Sequence, residues 1–141
     1  MDDYKGQFII DDKAERKEFE KYANFTFLYD IWLKNIEDGK KISDYFTKRN
    51  HKTIAIYGMG MVGKHLLKQL NDKDVKVVFT IERNIASYNN MQYSYDDIKV
   101  IAGTPDVIVI TPLLEFEKIK EQLIVVFDTE VVSVEEVILS L

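Results

Sequence analysis

The stretch from Thr53 to His65, TIAIYGMGMVGKH, limits what this chain can fold into more than any other segment. A run of β-formers from Thr53 to Tyr57 stops at Gly58-x-Gly60-x-x-Gly63, and helical spacing of Leu66, Leu67 and Leu70 begins at once. Strand, glycine turn and helix in that order open a βαβ unit, and the three glycines have the dinucleotide-binding spacing. Each has a mechanical task. Gly58 turns the chain off the strand, Gly60 lets backbone N–H groups approach a pyrophosphate with no Cβ in the way, and Gly63 lets the helix lie close on the sheet. The anion then rests on the backbone of Met59, Gly60, Met61, Val62 and Gly63, where unpaired N–H groups and the positive end of the helix dipole favour it.

The next β-rich run, Val75 to Ile81, ends in Glu82, which lies 24 residues after Gly58 and 19 after Gly63. An acid at that distance, at the carboxyl end of a second strand, supplies the acceptor that a ribose diol needs. Its charge favours a free 2′-hydroxyl over a 2′-phosphate, and Arg83 beside it softens that preference. VKVVFTI is almost continuously apolar, as suits a parallel strand covered on both faces. Asp106 to Thr111 (DVIVIT) reads as another buried strand, closed by Pro112 on the same edge as the glycine turn. Ligands of open α/β sheets bind along that edge, so Thr111 is placed to donate to a phosphate or ribose and Pro112 to shape the turn. A simple strand terminator would use the same two residues.

The same glycines also spell most of a Walker A loop, Gly58-x-x-x-x-Gly63-Lys64. The next residue is His65, where the Mg²⁺ site requires a Ser or Thr hydroxyl, and imidazole is a poor magnesium ligand. A Walker B candidate exists in Ile124 to Asp128 (IVVFD). Lys64 is read as a solvated lysine with a secondary part in neutralising phosphate.

At 141 residues the chain is one domain, or a domain with an appendage, able to bury roughly two thirds of its unfolded surface. A formal charge of -5 argues against nonspecific nucleic-acid binding, which depends on clustered Lys and Arg. The absence of cysteine excludes disulfides, thiolate metal sites and a cysteine nucleophile, and points to the cytoplasm. Met1 is followed by two aspartates and no apolar run approaches the length of a membrane span, so neither a signal peptide nor a membrane anchor is expected.

Residues 1–11 read as a loose arm. A helix is expected from Asp12 to about Glu37, first charged, then striped by Phe25, Leu28, Ile31, Trp32 and Ile36, and ended by Asp38-Gly39. Ser43 or Asp44 offers a cap for a second short helix, but Ile42, Tyr45 and Phe46 already share one face, so that helix is expected over about Lys41 to Arg49. Trp32 is expected as a core or subunit contact, and a helical stripe this aromatic makes a homodimer a natural expectation. After the glycine turn a helix is expected over Val62 to Asn71, a loop over Glu82 to Asp97, and a short strand over Ile98 to Ala102. A helix from Phe116 to about Phe127, a strand at Glu130 to Val132 and a Ser133-capped terminal helix complete the chain.

The fold expected is therefore α/β: a Rossmann-like open, mainly parallel sheet with flanking helices, preceded by an N-terminal helical extension. Residues 1–50 form the arm and extension and 51–141 the nucleotide-binding domain. Other chemistry finds no support. Tyr95-x-x-x-Lys99 has the spacing of a short-chain dehydrogenase pair but comes too soon after the glycines. His51 and His65 lie near no acid at metal spacing, and there is no nucleophile elbow.

The segment from about Leu28 to Leu141 resembles small bacterial Rossmann domains, described as sugar-epimerase-like, that are linked to nucleotide-sugar and surface-polysaccharide metabolism. The residues that carry the resemblance are WLKNIEDGKKISDYF, KTIAIYGMGMVGKHLLKQL, the acid ending strand two, and DVIVITP followed by a helix. The resemblance implies a fold able to hold NAD or a nucleotide-sugar, with Gly58, Gly60, Gly63 and Glu82 carried over by motif and nothing catalytic with them. The function expected is a nucleotide-binding module, NAD(H) first. The alternatives are a sugar-nucleotide oxidoreductase or epimerase component needing a partner, and a scaffold that has lost its ligand.

Overall fold

The structure, a computed structural model, describes residues 13–70, 73–82, 92–94 (backbone only) and 104–141. A long helix α1 (Lys13–Glu37) and a single turn α2 (Ser43–Thr47) lead into β1 (Thr53–Tyr57), α3 (Met61–Gln69) and β2 (Lys76–Glu82). Then follow β3 (Gln92–Ser94), β4 (Val107–Ile110), α4 (Phe116–Val126), β5 (Glu130–Ser133) and α5 (Val134–Leu139). All five strands run parallel in the order β3-β2-β1-β4-β5. The order reverses beside β1: the chain steps outward to β2 on one side and later returns to β4 on the other. Such a reversal opens a crevice at the carboxyl edge of the sheet.

Alternation along β1 divides the core into two layers, because successive side chains point to opposite faces. Ile54 and Ile56 join Leu28, Trp32, Tyr45, Phe46, Leu66 and Val137, so α1, α2, α3 and α5 share one face. Ala55 and Tyr57 join Phe79, Ile81, Ile119 and Leu123 on the other face, which α4 covers. The second half of α1 is fastened to the end of the chain by polar contacts as well. Asn35 Nδ2 donates to the Ile138 carbonyl at 3.0 Å and Lys40 Nζ to the Leu141 carbonyl at 3.1 Å. Trp32, 4% exposed, is a core residue.

Several expectations need correcting. A strand, β3, lies inside the stretch Glu82 to Asp97 that reads as loop; only three residues pair with β2, too few for periodicity to register. The short second helix is confined to Ser43–Thr47, and neither Ser43 nor Asp44 caps it: Ile42 holds the cap position and Ser43 is buried in the first turn. Asn50 then takes a left-handed conformation (φ 59°) that Asn tolerates well, and the His51 N–H returns to the Phe46 carbonyl at 2.9 Å, turning the chain into β1. Ser133 does cap the terminal helix, accepting from the Glu135 N–H at 3.1 Å. Ile124 to Val126 belong to α4, so the Walker B candidate is not a strand. The N-terminal arm, Arg83, Tyr95, Ile98 to Ala102 and Lys99 lie outside the described residues. Among the described residues no helix is long and apolar enough to cross a membrane.

At the amino edge of the sheet, Asp106 clamps the start of β1 to the start of β4. Its Oδ2 accepts from the Lys52 and Thr53 N–H groups at 2.7 and 3.0 Å, and these bonds hold its carboxyl below the ordinary value of 3.8. A depressed carboxylate stabilises the fold above the unfolded pKa, and that contribution is lost as pH falls through the folded value. Asp106→Asn is therefore expected to flatten the fall of Tm with pH below about pH 4, and to cost about 1 kcal/mol at neutral pH through weaker acceptance. Thermal melts from about pH 2 to about pH 7 check this.

Candidate functional site

The site is built where β1 ends. The chain leaves β1 still stitched to both neighbours: the Gly58 N–H donates to the Ile81 carbonyl at 2.9 Å, and the Thr111 N–H to the Tyr57 carbonyl at 3.0 Å. Gly58 then adopts φ +93°, which L side chains rarely do, and a Cβ there would strike Thr111 Oγ1 and come within 2.8 Å of Pro112 Cδ. A Cβ on Gly63 would run into the Gly58 carbonyl oxygen. Both glycines are thus required by the fold, the first for its turn and the third for the approach of α3 to the loop.

Gly60 differs. Its backbone is extended (φ −71°, ψ −159°), open to any residue, and a Cβ built on it meets nothing within 4 Å. No packing contact requires a glycine there, although glycine is a favourable N-cap, and the space it leaves opens above the start of α3.

That helix begins without a side-chain cap. Gly60 sits at the cap position, and the first intrahelical bond runs from the Lys64 N–H to the Gly60 carbonyl at 3.0 Å. The N–H groups of Met61, Val62 and Gly63 therefore have no partner within the helix, and they carry the positive end of its dipole. The Met59 N–H, expected to serve an anion with them, is instead engaged by Glu82, whose Oε2 accepts it at 2.7 Å. The contact draws the acid from the end of β2 against the glycine loop, beside the crevice. Thr111 also turns inward: its hydroxyl lies 3.1 Å from the Tyr57 carbonyl and 2.8 Å from that of Gly58, so it braces the turn.

Gly58, Gly60, Met61, Val62, Glu82, Thr111 and Pro112 line one cleft of about 280 Å³. Its remaining wall was not legible from the motif, for it comes from α1: Lys21, Tyr22, Phe25 and Tyr29. The first half of α1 runs on past the sheet edge, and Lys21, Phe25 and Pro112 also border an adjoining cleft of about 480 Å³ with Lys17, Leu113 and Leu114. Among the described residues the Tyr29 hydroxyl is buried without a hydrogen-bond partner, and burial pushes its pKa above the ordinary value, so it stays a protonated donor. The aromatic density of α1 was the available signal; what it lacked was the direction of the helix. His65, at the position where a Walker loop needs a hydroxyl, packs edge-on against Tyr29 and Trp32 with ring centroids 5.9 and 6.4 Å away. No group of acids and imidazoles that could hold a metal occurs among the described residues.

Sheet order and glycine loop define the class: a Rossmann-like α/β fold with its crevice at the β1/β4 switch. No family model matches the chain, and no curated protein matches it. Among solved structures it is similar to a C. glutamicum DAP dehydrogenase in complex with DAP, with 21% identity and a TM-score of 0.36 over 43% of this chain and 19% of that one. It is also similar to a protein of unknown function from the DUF364 family of Pyrococcus horikoshii, with 20% identity and a TM-score of 0.39 over 58% of this chain and 32% of that one. The chain spans a fifth to a third of the length of these structures. Likeness at this level carries no argument about function.

Proposed function

We propose that the chain is a nucleotide-binding module whose preferred ligand is NAD(H). The pyrophosphate lies over Gly60 on the N–H groups of Met61, Val62 and Gly63, and Glu82 faces the adenosine ribose. The observation that carries this reading is Gly60. Two of the three motif glycines are required by contacts inside the protein; the third is required by none, and a ligand in the open space above it supplies a reason for its lack of a side chain. The cleft supports the reading further, since its floor offers unpaired N–H donors and its α1 wall offers aromatic faces for a base. The adjoining cleft, lined by Lys17 and Lys21 together with Glu18 and Glu115, leaves room beside the same floor for a second candidate ligand, a nucleotide-sugar, in line with the resemblance to sugar-epimerase-like domains. A catalytic acid or base is not part of the proposal.

Thermal shift with NAD, NADP, ATP and UDP-glucose tests it. A ligand at 100 times its dissociation constant adds about 2.7 kcal/mol, which for a chain of this size raises Tm by roughly 8 °C. NAD is expected to give the largest shift. A larger shift with UDP-glucose replaces NAD by the nucleotide-sugar, and no shift with any of the four overturns the proposal. Glu82→Gln keeps an acceptor for the Met59 N–H but removes the charge, so it is expected to weaken NAD and improve NADP relative to it. Equal effects on the two cofactors, measured by calorimetry, would remove Glu82 from the ribose site.

A further inference from the structure

The two clefts at the carboxyl edge of the sheet meet along helix α1. Lys21, Phe25 and Pro112 line both of them, so these three residues mark the junction. Of the three, Lys21 alone carries charge. On one side of the junction lies the floor of the nucleotide site, with Gly58, Gly60, Met61, Val62 and Glu82. On the other side the chain after β4 supplies Leu113, Leu114 and Glu115, and α1 supplies Lys17 and Glu18. Lys21 and Phe25 are one helical turn apart and share a face of α1, which carries the lysine to the junction with the aromatic ring.

Charge gives that position its meaning. The N–H groups of Met61, Val62 and Gly63 offer only the partial charge of a helix end, about half an elementary charge, whereas each phosphate of a diphosphate bridge brings a full negative one. Glu82 adds a further negative charge beside the floor, since its Oε2 accepts from the Met59 N–H at 2.7 Å. A diphosphate there needs a cation from elsewhere in the fold. Lys64, the lysine that follows the glycine motif, lines neither cleft, and Lys21 is the one cation among the described residues that line the nucleotide cleft. Its Nζ already lies on that cleft's wall, 5.7 Å from the centroid of the Tyr22 ring. A cation–π contact of this length at an exposed site is weak, and a phosphate oxygen displaces it at little cost.

We propose that Lys21 is the counter-ion of a diphosphate bridge lying at the junction, and that the ligand is therefore a two-part, diphosphate-bridged nucleotide. Its nucleoside lies on the Glu82 side, and its second half, a nicotinamide riboside or a sugar, lies in the adjoining cleft of about 480 Å³. The inference rests on the nucleotide reading given above and adds to it a residue that the glycine motif does not contain. The binding site then spans α1 as well as the sheet. Lys17, one turn or about 6 Å further along α1, lines only the adjoining cleft and stands away from the bridge.

Calorimetric titration of the whole chain with NAD and with UDP-glucose tests the assignment. Lys21→Met is expected to weaken the ligand that binds by about 10-fold, and to flatten the loss of affinity with added KCl, because a screened charge pair is gone. Lys21 is exposed and methionine is a good helix former, so Tm without ligand should stay within about 2 °C of the wild type. Lys21→Arg keeps the charge and is expected to hold affinity within about threefold. Lys68→Met removes the same charge from the last turn of α3 and should alter neither affinity nor its salt dependence. Unchanged affinity in Lys21→Met, or an equal loss in Lys17→Met or Lys68→Met, overturns the role of Lys21 and leaves the nucleotide reading standing. A wild-type chain that binds neither NAD nor UDP-glucose overturns the two-part ligand, and one that also binds neither NADP nor ATP overturns the nucleotide reading with it.

Discussion

Gly58→Ala is expected to lower the stability of the chain by about 4 kcal/mol, and with it Tm by roughly 12 °C. Two costs add. Holding a residue with a Cβ at φ +93° costs about 1–2 kcal/mol, because the left-handed half of φ space brings Cβ against the neighbouring carbonyl. The new Cβ also meets Thr111 Oγ1 and Pro112 Cδ, and overpacking of this kind costs about 1–3 kcal/mol. Thr111 cannot simply rotate away, since its hydroxyl braces the turn at Tyr57 and Gly58. Gly63→Ala is expected to cost about 3 kcal/mol by the second route alone, with the clash directed at the Gly58 carbonyl, a backbone atom with little room to move. Thermal and urea melts measure both. A loss under about 1 kcal/mol for either variant would show that the loop relaxes at will, and the distinction between fold-required and ligand-required glycines would fail.

Both costs have the same origin, a loop trapped between three strands. β1 is central, so its end is held by β2 through Gly58 and Ile81 and by β4 through Tyr57 and Thr111. Glu82 adds a third tie at Met59. The start of α3 is thereby fixed before any ligand arrives, and preorganised donors lose less on binding than donors that must be gathered.

The elements that could be read from the sequence are those whose physics is local. Strand β1, the glycine turn and α3 announce themselves by β-branching, glycine spacing and apolar period, and β4 by an unbroken apolar run. Ile124 to Val126 in α4 show where that reasoning needs care: these β-branched residues suggest strand, yet Ile119 and Leu123 pack on the far face of the sheet and hold the segment helical, with Phe127 the first extended residue after it. The site divides in the same way. Gly58 and Gly63 stand where a Cβ would clash, because steric need is written at the residue itself, whereas Gly60 has no such need inside the protein. Thr111 and the Met59 N–H turn out to serve other partners inside the protein, and the α1 wall of the cleft comes from residues 29 to 37 positions before Gly58. No local pattern records which way a helix leaves the sheet.

The sharpest test of the nucleotide site sets stability and binding against each other at one residue. Gly60→Asp is expected to raise stability and destroy ligand binding together. Gly60 is the cap of a helix that has no side-chain cap, and its extended backbone accepts aspartate without strain. An aspartate there accepts from an orphan N–H of the first turn and complements the dipole, worth about 0.5–1 kcal/mol over glycine. The same carboxylate stands where a pyrophosphate would lie, consumes its donors and repels its charge. The stabilisation of about 2.7 kcal/mol expected from NAD at 100 times the wild-type dissociation constant should therefore vanish, while the unliganded Tm rises by roughly 2 °C. Gly60→Val separates the steric part from the electrostatic one. Valine fits the backbone and meets no protein atom at Cβ, so it costs only the poor cap, about 1 kcal/mol, and it should abolish the shift by bulk alone. If the ligand identified by thermal shift bound both variants as it binds the wild type, the space above Gly60 would not be where its phosphates lie. A variant that is more stable yet no longer binds would separate the two roles of this position, since a gain in stability alone is common in natural proteins and says nothing of the ligand.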